Sequence, residues 1–123
     1  MAIRYQVEQQ ENYLLLKTRG SEKSRAEASA CKTAMIRTAG QYLVTNLLCD
    51  ERELDSRLSD FDTFELASAV WEFAPRVDRV AVVCREEFVS DTTRYQSLIA
   101  AGGLQMKVTS DMEDAKYWLG VDG

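Results

Sequence analysis

Six carboxylates, Asp50, Glu51, Glu53, Asp55, Asp60 and Asp62, fall within the thirteen-residue stretch "DERELDSRLSDFD". Clustered oxygens of this kind can hold a hard cation. This stretch lacks the glycine of a calcium loop, and Arg52 and Arg57 interrupt its negative field. It reads as a solvated, charged connection over 50–59 with local ion pairs, and no metal site is expected. Two hydroxyls, Ser59 and Thr63, lie at its far end in "RLSDFDTFELA". They raise the question of whether this helix start is a switch or only a cap. Ser59 and Asp62 are three residues apart, as are Asp62 and Glu65. That spacing suits an N-cap, whose side chain satisfies an amide left unpaired by a helix start. The cap is the preferred reading. A phosphate on Ser59 could pair with Arg57, but Asp60 and Asp62 would repel it.

Asp50 also follows the apolar run "LVTNLLC", the place of a receiver-domain phosphoacceptor. That reading fails on context. The first expected strand ends in "QQEN", without the acid pair that binds Mg²⁺, and Lys107 lies inside the last expected strand rather than at its end. The chain contains no histidine, which removes Ser-His-Asp and Cys-His catalysis and histidine-ligated metals. There is no glycine-rich phosphate loop; Gly102-Gly103 follows a helical run and reads as its stop. The three cysteines, Cys31, Cys49 and Cys84, include no Cys-x-x-Cys. Cys49 and Cys84 each end an apolar run and are expected as buried thiols at strand ends. No enzyme activity and no cofactor are expected.

The 123 residues fit one domain, 1–123. A net charge of −5 argues against a nucleic-acid partner. No apolar run approaches the ~20 residues of a membrane span. The opening "MAIRYQVEQQ" has no apolar signal core. A cytoplasmic location is the expectation.

Strands must position these groups. "IRYQVEQ", 3–9, alternates apolar and polar residues, and "YLLLKT", 13–18, follows after a short turn, so the two form a hairpin closed by Gly20-Ser21. An alanine-rich helix is expected over 22–39, with Gly40 as its stop. Buried strands follow at 42–49 and 79–84, and an alternating strand at 104–110. Helices are expected over 61–74, 90–103 and "DMEDAKYWLG", the last capped by Asp111 or Ser110. The order β-β-α-β-α-β-α-β-α is an α/β fold: a mixed, mostly parallel five-stranded sheet with about four helices, the first strand antiparallel.

Helix 61–74, "FDTFELASAVWEFA", carries apolar residues beyond the single stripe a sheet-covering helix needs. Phe64, Ala67, Trp71 and Ala74 share one face; Leu66, Val70 and Phe73 share the next. The preferred reading is a deep core helix, also touched by Tyr117 and Trp118 of the last helix. The alternative is an interface or apolar groove formed by Phe64, Leu66, Val70, Trp71 and Phe73, meeting a protein partner, a second copy in a homodimer, or an apolar, lipid-like small ligand.

The segments "LLCDERELDSRLSDFDTFELA", "RVAVVCREEF" and "GLQMKVTSDMEDAKYWL" resemble the SpoIIAA-like branch of the STAS superfamily, named after sulfate transporters and anti-sigma-factor antagonists. The resemblance runs from about residue 5 to 119 and is nearest to small stand-alone bacterial members. It implies a small α/β domain with helices mainly on one side of a mixed sheet and no enzyme activity. Relatives bind regulatory proteins, sometimes under serine phosphorylation at the start of the helix after the third strand, which points here to Ser59 and Thr63. Others bind nucleotides or apolar ligands. The antagonists' Asp-Ser-Ser-Gly-like motif is absent here, and the acidic segment is longer. The leading expectation is a regulatory or protein-interaction module; the rival is a carrier using a groove beside helix 61–74.

Overall fold

The computed structural model describes residues 3–21, 27, 30, 34, 37, 38, 41, 42, 45–56, 77–90, 93 and 105–121. Five strands form one sheet in the order β1-β2-β3-β4-β5. β1 (Arg4–Gln9) and β2 (Leu14–Ser21) pair antiparallel. β3 (Asn46–Ser56), β4 (Arg79–Val83) and β5 (Gln105–Thr109) then follow in parallel. The sheet is mixed and mostly parallel, with its antiparallel strand first, as the alternation and apolar runs imply.

Because successive side chains leave a strand on opposite sides, the central strands feed two apolar layers. Leu14, Leu16, Leu47, Cys49, Val80 and Val82 lie in one, against which Tyr42, Val77, Phe88 and Val89 pack. Leu48, Ala81 and Val83 lie in the other, together with Ala115, Leu119 and Val121. Cys49 and Cys84 are buried thiols, as expected. Each fully buried leucine, such as Leu14 or Leu48, contributes about 1.5–3 kcal/mol relative to an exposed one.

The helix α1 (Met112–Leu119) covers the second layer. Ala115 and Leu119 are one turn apart and both buried. Asp111 is its N-cap, accepting from the Glu113 amide at 3.0 Å. Gly120 ends it at φ 76°, in the left-handed region. The Val121 amide reaches back to the Lys116 carbonyl, the closure that buries Val121 under the helix end. Tyr117 does not make the core contact expected of it: it is 87% exposed. Trp118 instead packs at the rim of its layer, with the Arg79 guanidinium 5.5 Å from the ring centre.

The third strand departs from its expected bounds. It starts at Asn46 rather than 42 and runs to Ser56, through much of the stretch expected as a charged connection. β4 stops alongside it at Asp50↔Val83, but β2 continues to offer a ladder, through Arg19↔Glu53 and Gly20↔Leu54 to Ser21↔Ser56. Backbone pairing therefore carries the strand on despite its charges. Gly20 and Ser21 belong to that ladder rather than closing the hairpin. Gly20 sits at φ 108°, a conformation open to glycine, opposite the fully buried Leu54.

Of the four expected helices, α1 is described in full. Glu27, Ala30, Ala34, Arg37 and Thr38 are helical within 22–39, as is Thr93 within 90–103. Thr38 donates to the Ala34 carbonyl and Thr93 to that of Val89, four residues back in each case. Helix 61–74 and Cys31 lie outside the described residues.

Candidate functional site

In parallel sheets, binding sites form beyond the carboxyl ends of the strands. Here that edge is uneven, because β3 overruns β4. Between Lys17↔Asp50 and Arg19↔Glu53, β2 advances by two residues and β3 by three. The extra residue is a bulge, a device that re-aims side chains.

Asp50 stands at that bulge and is 6% exposed. Arg52 grips it with both arms of its fork, Nε to Oδ1 at 2.9 Å and Nη2 to Oδ2 at 2.8 Å. The Arg52 amide adds a third hydrogen bond to Oδ1 at 3.2 Å. Burial pushes the Asp50 carboxyl up, but the Arg52 hydrogen bonds and the charges of Arg52 and Lys17 outweigh it, leaving the group below its ordinary value. Arg52 is raised, first by its hydrogen bond to Asp50. With both oxygens engaged by a guanidinium, Asp50 is an anchor for the bulge rather than a nucleophile. Lys107 lies in the middle of β5 opposite Ala81, away from the strand's carboxyl end.

Hydrogen bonds link the rest of the edge. Arg85 Nε donates to the Arg52 carbonyl at 2.9 Å, which ties the overrun of β3 to the segment after β4. A 3-10 turn at Glu86–Phe88 follows. Ser110, after β5, donates to Glu86 at 2.5 Å. Glu51 is almost wholly buried, at 1% exposure. Among the described residues, no buried polar side-chain atom lacks a partner. No three His, Cys, Asp or Glu side chains among them converge on a metal position.

A second feature, which sequence reasoning did not single out, lies over the hairpin. An open cavity of about 550 Å³ is lined by Arg4, Gln6, Lys17, Arg19 and Glu53 among others. Arg4 stands directly opposite Arg19, and Gln6 opposite Lys17. Three cations and one carboxylate gather here in a chain of net charge −5. Lys17 and Arg19 are two residues apart, which was the available signal, but only the hairpin register brings Arg4 to them. The cavity is lined mainly by polar and charged side chains.

The sequence-based candidates Ser59, Thr63, Phe64, Leu66, Val70, Trp71 and Phe73 all lie outside the described residues. The chain leaves β3 at Ser56, three residues before Ser59. Among the described residues, no helix is long and apolar enough to cross a membrane.

No family model matches this chain. No curated protein matches it either. Solved structures do. An uncharacterized protein of the DUF3478 family with a SpoIIAA-like fold, from Shewanella loihica PV-4, is 22% identical with a TM-score of 0.59, over 96% of this chain and 94% of that one. An anti-sigma factor antagonist from Mycobacterium paratuberculosis is 14% identical with a TM-score of 0.67, over 97% of this chain and 95% of that one. Both likenesses span nearly the whole of each chain, and the mixed five-stranded sheet is consistent with them: this chain has the SpoIIAA-like fold.

Proposed function

We propose that this chain is a regulatory module that works by binding another protein and performs no turnover of its own. The observation that carries the reading is the likeness in fold, over 97% of the chain, to an anti-sigma factor antagonist, a protein whose name implies a protein partner. The carboxyl edge supports it. Its charged groups are engaged with one another, Asp50 with Arg52, Arg85 with the Arg52 carbonyl and Ser110 with Glu86, in the manner of a shaped recognition surface. Ser59 follows the end of β3 at Ser56 by three residues, and added negative charge on it is expected to weaken binding. Partners of this kind are recognised through shape and paired charge.

The test is capture of protein from an extract of the source cells by the purified chain, followed by native mass spectrometry of the complex. A stoichiometric protein complex, weakened by Arg85→Ala and by Ser59→Asp while Ser59→Ala still binds, is the expected result. Recovery of a stoichiometric small molecule, with no protein, would replace this reading by the carrier.

A further inference from the structure

Among the described residues, β1 is the edge strand of the sheet, paired only with β2, and Arg4, Tyr5, Gln6, Glu8 and Gln9 are exposed along it. The direction of its main-chain groups follows from the ladder. Gln10 donates to the Tyr13 carbonyl, and in an antiparallel pair such bonded positions alternate. Arg4, Gln6 and Glu8 therefore turn their amides and carbonyls toward β2, and Tyr5 and Val7 turn theirs outward. Ile3 shares that outward direction, and its amide donates to Glu27 at 2.8 Å. The open part of the edge thus begins at Tyr5.

We infer that this edge pairs with the same edge of a second copy of the chain, antiparallel about a two-fold axis at Gln6. Outward groups must meet outward groups, so an axis can pass at Tyr5, Gln6 or Val7 while keeping most of the strand paired. An axis at Tyr5 sets Arg4 against Gln6, and one at Val7 sets Gln6 against Glu8. Only the axis at Gln6 sets Arg4 of each copy against Glu8 of the other. It also sets Tyr5 against Val7, where the two exchange their outward main-chain bonds. Opposite charges and aromatic–β-branched pairs are the favourable cross-strand combinations.

Charge gives a second, independent reason. Within one copy, Arg4 faces Arg19, a like-charge pair, and Glu8 faces Leu15. Among the described residues neither Arg4 nor Glu8 has an ion pair. Arg19 has Glu53 beside it in the ladder, whereas Arg4 has no carboxylate opposite it. Charges on an edge strand usually hinder edge-to-edge pairing. Here their opposite signs at positions mirrored about Gln6 turn the hindrance into a selection for one register. The second copy brings its Glu8 to the basic cluster over the hairpin, and the two sheets become continuous. This goes beyond the proposed function and does not depend on it.

The experiment is analytical ultracentrifugation of the full chain from low to high micromolar concentration, with charge variants. The wild type dimerises reversibly. Arg4→Glu, with acids at both mirrored positions, and Glu8→Arg, with bases at both, each weaken self-association about tenfold or more. An equimolar mixture of the two variants forms a heterodimer, and the double variant Arg4→Glu/Glu8→Arg dimerises again. Tyr5→Pro removes an outward amide without touching the β2 ladder, a place where an edge strand tolerates proline; it abolishes the dimer with the fold retained by circular dichroism. A wild type that stays monomeric overturns the inference, including one that takes up an extended peptide instead. So does a dimer indifferent to both charge variants and their mixture. If one single variant loses its fold, the other single variant and the double variant decide.

Discussion

Arg52 holds both carboxylate oxygens of Asp50, at 2.9 and 2.8 Å, two residues along the same strand. The clasp joins a half-exposed guanidinium to an almost buried carboxylate, and it sits where β3 bulges against β2. Because the folded-state pKa of Asp50 lies below its ordinary value of 3.8, the folded chain binds fewer protons there than the unfolded one. Its contribution to stability is complete above the unfolded pKa and disappears as pH falls through the lower, folded value. Urea midpoints measured from neutral to strongly acid pH therefore fall below about pH 4 in the wild type, and this part of the fall is missing in Asp50→Asn. Equal acid sensitivity in the two proteins would show that the clasp carries no linkage.

Arg52→Ala leaves Asp50 without its partner. A charge-assisted hydrogen bond to a buried group contributes about 1.5–3 kcal/mol, and the half-exposed side of the clasp places the expected loss at the lower end of that range. The Arg52 carbonyl, which Arg85 bonds to, is kept in this variant, so the loss reports on the clasp itself. A midpoint within error of the wild type would remove the clasp from the list of structural determinants.

α1 has a defined start and a defined stop. Asp111→Ala removes the acceptor for the Glu113 amide and costs about 0.5–2 kcal/mol. Gly120→Ala meets no atom within 4 Å, so its cost is purely conformational, that of φ 76°: about 1–2 kcal/mol. The two sites are at opposite ends of one short helix, and thermal melts of the single and double variants measure both. A Gly120→Ala variant as stable as the wild type would mean that the left-handed stop is not needed.

Strand and helix types were legible where pattern and backbone demand coincide. "IRYQVEQ" alternates and holds β1; "RVAVV" is apolar after its exposed Arg79 and is β4, its four apolar residues buried; Asp111 and Gly120 are written into α1. The second half of β3 was not legible. Six acids in thirteen residues suggest solvent, but the ladder of β2 continues past the end of β4, and a guanidinium two residues away neutralises the buried Asp50. The basic cluster over the hairpin needed the register, since Arg4 and Arg19 are remote in sequence and meet only through the turn. Tyr117 lies next to the partly buried Trp118 in sequence yet is exposed to solvent, because Ala115 and Leu119 define the face that α1 buries.

Catalysis is expected to be absent. The chain has no histidine, and Asp50 is clasped by Arg52. Purified protein is expected to show no turnover of generic esters, phosphates or nucleotides. Turnover abolished by changing one acid within 50–62 would overturn this.

The stretch "RLSDFDTFELA" separates structure from regulation. A cap at Ser59 or Asp62 would satisfy amides at a helix start, and the neighbouring acids suit the positive end of the helix dipole. No function is needed to explain such residues. On that account Ser59→Ala or Asp62→Ala costs about 0.5–2 kcal/mol at whichever residue is the cap, and partner binding is unchanged in every alanine variant that stays folded. Introducing a negative charge is a different matter. Asp60 and Asp62 are one and three residues from Ser59 in sequence, and Arg57 is the one cation in the stretch. Ser59→Asp therefore tests the surface electrostatically even where the cap survives, and the proposed interaction predicts weaker partner binding. Denaturation midpoints and partner affinities measured on the same three variants distinguish the roles. If both alanine variants melt like the wild type while Ser59→Asp alone abolishes binding, Ser59 is a switch and not a cap.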